Sequence, residues 1–148
     1  ERPQDYGDDV RERLRVGAFL SGGDYLKGQR ARARIRDEVN AALGGADVLV
    51  CATTPLVATA VGQSEIAVGQ DKVSVRASLI RFTRVFNLSG HPAASIPCGF
   101  TAGGLPVGLQ IVGRPFDEAT VLRVADAYQR ATDWHRRRPP IAPPAAAP

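Results

Sequence analysis

The chain has 148 residues, 44% of them apolar, and 19 Lys+Arg against 15 Asp+Glu give a net charge of +4. That length suits one domain or a piece of a larger one, and the apolar content excludes disorder along the whole chain. No apolar run approaches the ~20 residues of a membrane-spanning helix, and the charged opening ERPQDYGDDVRERLR does not read as a signal peptide.

In chain order, Val10, Leu14 and Ala18 recur every four residues and predict a first helix. Ser21-Gly22-Gly23 breaks it, and Ser21 can cap the next, which runs from Asp24 to Leu43. Leu26, Ile35, Val39, Ala42 and Leu43 supply its apolar stripe. Arg30, Arg32, Arg34 and Arg36 fall on two faces of this helix, because alternate residues are about 200° apart, and Asp24, Asp37 and Glu38 dilute them. They read as a solvated helix surface rather than a nucleic-acid patch. Gly44-Gly45 stops the helix. Asp47 to Cys51 is then an unbroken apolar run, as in a strand buried on both faces of a parallel sheet. Residues 56–75 show no period and read as a long surface loop. A helix returns over Val75–Asn87, with Leu79, Phe82 and Phe86 on one stripe and Ile80, Thr83, Arg84 and Asn87 on a neighbouring face. Gly90-His91-Pro92 ends it, and Ala94 to Pro97 can form a short strand. After the Gly103-Gly104 turn, Pro106 to Val112 alternates as a strand. Asp117 caps a helix to about Thr132, with Val121, Leu122, Ala125 and Tyr128 facing inward. Residues 136–148 (RRRPPIAPPAAAP) form an Arg/Pro-rich tail that cannot build a core and is expected to be disordered.

Most chemistry fails on spacing. The two histidines, His91 and His135, lie far apart, and Cys51 and Cys98 form no CxxC pair, so no metal site is expected. GxxxxGK[ST] and GxSxG are absent. His91 and Cys98 could form a thiol dyad, but GHPAASIPCG embeds both between prolines and glycines, and Cys98 reads as a small packed hydrophobe. Asp117 and Glu118 at a helix start are explained by capping and the helix dipole. Two cysteines suit a reducing compartment, and a cytoplasmic location is expected. The chain contains no methionine, not even at position 1. Initiator removal or the choice of chain boundaries would explain that; a fragment is the sharper reading.

One long stretch carries specific dipeptides in register. It runs through Asn87-Leu88, Gly90, Pro92-Ala93, Ile96-Pro97-Cys98-Gly99, Gly104 to Gln110, Gly113-Arg114, Phe116-Asp117-Glu118, Tyr128 and Trp134-His135. Asp24-Tyr25, Arg34, Asp47-Val48-Leu49 and Thr53-Thr54-Pro55 precede it. This pattern closely resembles the C-terminal part of the amidase signature family and covers nearly the whole chain except the proline tail. The resemblance implies an α/β fold: residues 1–135 as the C-terminal portion of an amidase signature domain, a mixed β-sheet covered by α-helices.

Members of that family hydrolyse or transfer amide C–N bonds with a Ser–Ser–Lys arrangement, in which the lysine must be neutral to accept a proton, and only burial lowers its pKa enough. Neither lysine here, Lys27 or Lys72, has such a context, and no GGSS-like run exists. The resemblance therefore implies no catalytic residue in these positions, no metal and no cofactor. By resemblance, Ile80, Thr83 and Arg84 line the substrate pocket. In the family's tRNA-dependent amidotransferases, a carboxylate in this helix reads the substrate's amino group, and Val75–Asn87 contains no Asp or Glu. That favours a general amidase, with the tRNA-dependent amidotransferase and a non-catalytic basic module binding RNA or a protein partner as rivals. The expected partners are a small-molecule amide and the missing N-terminal part of the same enzyme, with a homodimer as a further option; no membrane or nucleic acid is expected.

Overall fold

The computed structural model describes residues 2–139. Helix α1 spans Asp8–Gly17, and α2 spans Gly22–Leu43. Ser21 begins α2 with a reciprocal capping box: its hydroxyl accepts from the Asp24 amide at 3.1 Å, and the Asp24 carboxylate accepts from the Ser21 amide at 3.2 Å. Two orphan donors of the first turn are thereby satisfied.

Strands β1 (Val48–Ala52), β4 (Ala93–Phe100) and β5 (Pro106–Gly113) form one sheet in the order β1-β5-β4. Both pairings are antiparallel, so the parallel arrangement inferred from the 47–51 run is corrected. A continuous apolar run says nothing of strand direction. The cover is uneven: Leu49 and Cys51 pack toward α2, while on the opposite face only Val48 packs on the core and Val50 is 52% exposed, so the expected burial on both faces is corrected as well.

Central strand β5 organises both layers. Ile111 and Val112 are fully buried and, as neighbours on a strand, point to opposite faces. Val112 meets Val39 and Leu43 of α2 and Phe86 of α4 (Arg81–Ser89). Ile111 meets Ile96 of β4 and Val121 and Ala125 of α5 (Glu118–Ala131). Leu122, expected inward, is 63% exposed; Val124 packs on this cluster in its place. The apolar residues of α1 and of the first turns of α2, Val10, Leu14 and Leu26 among them, stay exposed.

The 56–75 segment is not a structureless loop. It contains a hairpin of β2 (Glu65–Val68) and β3 (Asp71–Ser74), closed by Gly69-Gln70 with Gly69 at φ +63°. Its strands are four residues long and mostly exposed, so no hydrophobic alternation marks them. The expected 75–87 helix is two helices, α3 (Val75–Leu79) and α4, with Ile80 between them at φ −94°, ψ 0°. Short α3 packs on the hairpin and α4 packs on α2, so the chain turns where these demands part. Gly90 ends α4 in the left-handed conformation, φ +78°.

A 3-10 turn at Trp134–Arg136 follows α5, and the Arg137 guanidinium lies 4.2 Å from the Phe100 ring centroid. Most of the expected tail, residues 140–148, lies outside the described residues.

Gly113 ends β5 under the first turn of α5. A Cβ there would lie 2.5 Å from Val121 Cγ2 and 3.2 Å from the Asp117 carbonyl oxygen. Gly113→Ala should therefore cost about 1–3 kcal/mol through overpacking. A urea midpoint equal to that of the unsubstituted chain would show that α5 shifts freely, contrary to this packing.

Candidate functional site

Helix α4 turns Phe82, Phe86 and Ser89 inward. Arg84 lies about 200° from Phe86 around the helix, on the outward side. Ile80 precedes it by one turn on the same face and is 39% exposed. The Thr83 hydroxyl, half-buried at the edge of this face, donates to the Ile80 carbonyl at 3.3 Å. The three residues expected from the sequence thus lie together at the start of α4, Ile80 just before the helix and Thr83 and Arg84 in its first turn. Across α3 and α4 the charged residues are Arg76, Arg81 and Arg84, all exposed.

Position and tilt of α4 are set from beneath by a polar network. His91 is buried just past the helix end; its Nδ1 lies 2.9 Å from Ser89 Oγ and its Nε2 lies 3.1 Å from Asn40 Oδ1. The Asn40 oxygen only accepts, so Nε2 carries the proton, and the Ser89 hydroxyl is shared between Nδ1 and the Phe86 carbonyl at 3.3 Å. Arg32 Nε donates to the Leu88 carbonyl at 2.7 Å, placing a cation at the negative end of α4. Burial pushes the His91 pKa below its ordinary 6.5.

That network separates His91 from Cys98. Both imidazole nitrogens are engaged, and the Cys98 thiol donates to the Val107 carbonyl at 3.5 Å from within a β-bulge. The geometry supplies no thiol–imidazole pair.

A second group of polar residues lies on the sheet face that also carries Leu49 and Val112. Thr53 Oγ1 and Ser95 Oγ are 2.6 Å apart, a short hydroxyl–hydroxyl bond. Gly108 between them leaves the necessary room, since a Cβ would sit 2.8 Å from Thr53 Oγ1 and 3.1 Å from Ser95 Oγ. Buried Gln110 donates to the Cys51 sulfur at 3.4 Å. One hydroxyl of the pair donates to the other, so a single O–H remains free, and no base contacts it among the described residues. This pair can bind but does not make an activated nucleophile. Sequence reasoning missed it, although Thr53 and Ser95 each sit close to a proline within the matched motifs.

Both lysines are exposed. Lys27 lies 3.9 Å from Asp24 on α2, and Lys72 sits on the β3 edge of the hairpin. Neither has the burial that a neutral, proton-accepting lysine requires.

Comparison with known proteins places this geometry. The family model described as Amidase matches residues 1–122. The A subunit of the glutamyl-tRNA(Gln) amidotransferase of Chloroflexus aggregans is 44% identical over 146 residues, covering 95% of this chain and 29% of that protein. A solved amidase superposes with TM-score 0.81 at 31% identity, over 87% of this chain and 30% of its own. The corresponding glutamyl-tRNA(Gln) amidotransferase A subunit of Thermotoga maritima superposes with TM-score 0.61, also at 31% identity, over 86% of this chain and 28% of its own. The chain thus spans under a third of the length of the relatives it matches.

Because the fold favours neutral His91, the unfolded chain takes up a proton first as the pH falls. Its contribution to stability is full above about pH 6.5 and declines below it. His91→Gln should flatten the stability profile between about pH 7.5 and about pH 5. Parallel loss of stability in both proteins, followed by urea unfolding, would exclude His91 as the titrating group.

Proposed function

The chain belongs to the amidase signature family, and from that membership we propose that it forms the sheet scaffold and one pocket wall of an amidase. Such an enzyme hydrolyses a carboxamide C–N bond to a carboxylate and ammonia or an amine. The Ser–Ser–Lys machinery comes from residues other than these 148, and α3–α4 line the acyl side of the pocket with Ile80, Thr83 and Arg84. The observation that carries the reading is the match to a solved amidase over 87% of the chain. It is joined by the exposure of both lysines, which leaves the segment without a proton acceptor of the required kind.

A second reading has a specific basis. The curated relative at 44% identity is the A subunit of a glutamyl-tRNA(Gln) amidotransferase. Against it stands α3–α4, where no carboxylate is available to read a substrate amino group. Ammonia release by the full gene product from simple aliphatic and aromatic carboxamides, without tRNA, supports the amidase. Release that requires glutamine and glutamyl-tRNA(Gln) supports the amidotransferase instead.

For the isolated chain we expect no measurable amide hydrolysis, because the residual pocket cannot replace a nucleophile and its base. Self-association is expected as well. Strands β1 and β4 each have one unpaired edge, and Phe19, Leu20 and Tyr25 are at least 65% exposed near the start of α2. Size-exclusion chromatography alongside the amide assay checks both. Turnover that travels with a clean monomer through an independent preparation would overturn this division of labour.

A further inference from the structure

Some arginines on the longer helices are met by acids about one turn away, whereas Arg15, Arg30, Arg32 and Arg123 have no ion-pair partner among the described residues. In α1, Arg11 lies 3.3 Å from Asp8 and Arg13 lies 3.1 Å from Asp9. In α2, Arg34 lies 3.1 Å from Glu38, and in α5, Arg130 lies 2.9 Å from Asp126. Residues 75–89 differ in having no acid at all: they carry Arg76, Arg81 and Arg84 and not one carboxylate. None of the three has an ion-pair partner among the described residues.

Arg84 is the one that stands at the centre of the outward face. Ile80 lies one turn before it and Leu88 one turn after, 39% and 38% exposed. An unpaired guanidinium between two half-open aliphatic side chains fits an acyl chain that is apolar along its length and anionic at one end. Aliphatic contact with Ile80 and Leu88 would exclude water, and the fork of Arg84 would meet a carboxylate in two parallel hydrogen bonds.

Resting on the reading that α3–α4 wall the pocket, we propose that the substrate is an amide whose acyl portion carries a carboxylate, a half-amide of a dicarboxylic acid, held by Arg84. In its hydrolysis the water oxygen bonds to the carbonyl carbon and the C–N bond breaks. The leaving nitrogen takes up both protons of the water, and the products are a dicarboxylate and ammonium. Arg84 takes no part in bond breaking; it determines which acyl group is held.

The test uses the full gene product and two amides of equal chain length, hexanamide and adipamate, which differ in a terminal methyl against a terminal carboxylate. Adipamate should be preferred in kcat/KM by roughly tenfold or more, the range for a hydrogen-bonded charge pair. Arg84→Gln should bring the ratio toward one, Arg84→Lys should retain part of it, and Arg130→Gln should leave it unchanged. A ratio within one preparation does not depend on the fraction of molecules that folded. Equal or better turnover of hexanamide by the unsubstituted enzyme, or a ratio untouched by Arg84→Gln, overturns the anionic substrate while leaving the amidase reading intact. Failure to hydrolyse either amide or any of the simple carboxamides overturns the amidase reading itself, and this inference with it.

Discussion

Everything in this fold hangs on one strand with two buried faces. β5 hydrogen-bonds to β1 on one side and β4 on the other, so its backbone is satisfied within the sheet. Its side chains then divide between layers: Val112 anchors α2 and α4, and Ile111 anchors α5. Neither helical layer touches a complete core without it. The strand's ends are held as firmly, since Gly113 admits the first turn of α5, and Arg114 donates to the carbonyls of Gly44 and Ala46 at 2.9 and 3.0 Å. Those two bonds tie the exit of α2 to the exit of β5 and leave β1 one register on the sheet.

From that anchor the candidate pocket wall follows by short steps. Val112 places Phe86, which fixes one side of α4 against the sheet. The Asn40–His91–Ser89 chain and the Arg32–Leu88 bond then fix the end of α4 against α2. With both constraints in place, the rotation of α4 about its axis has no freedom left, and Arg84 must point away from the core. A buried polar network is costly when half-satisfied, so it specifies one arrangement more sharply than apolar contact would. The outward display of Ile80 and Arg84 is a consequence of what lies beneath them.

Much of this architecture is legible in the order of the residues. Helix α2 announces itself by its capping serine, its 3.6-residue period from Ile35 to Leu43 and the Gly44-Gly45 stop. The strands over 47–51 and 106–112 are legible from apolar runs between turn residues. The parts that escape have identifiable causes. Antiparallel pairing of β1 is invisible because strand direction leaves no trace in a five-residue apolar run. The 65–74 hairpin escapes because its Ile66–Val73 pair is the one half-buried cross-strand contact in it, and Gly69-Gln70 is a weak turn signal on its own. The break at Ile80 arises from two tertiary contacts pulling in different directions, which no local pattern encodes. Arg32 reads as part of a solvated face, yet it reaches across to a carbonyl 56 positions later in the chain. The hydroxyl pair of Thr53 and Ser95 joins residues brought together by neighbouring strands, so only the sheet register reveals it.

Similarity in this chain therefore has to be weighed by position. The turns and strands that the matched motifs cover, Gly90 to Arg114 above all, build the β4–β5 hairpin and its close approaches. The chain shares 44% identity with an amidotransferase subunit and superposes on an amidase with TM-score 0.81, so overall similarity does not separate the two. In the proposed reading the substrate is read elsewhere, on an outward helix face that the frame presents but does not compose. There the physical chemistry is distinctive: three arginines, exposed aliphatic side chains and no acid across 75–89. A cationic surface of that kind opposes an ammonium group and attracts a carboxylate, and desolvation on closing a pocket strengthens both effects. On that proposal the helix would separate substrates through repulsion as much as attraction, using exposed residues that make no ion pair within the fold.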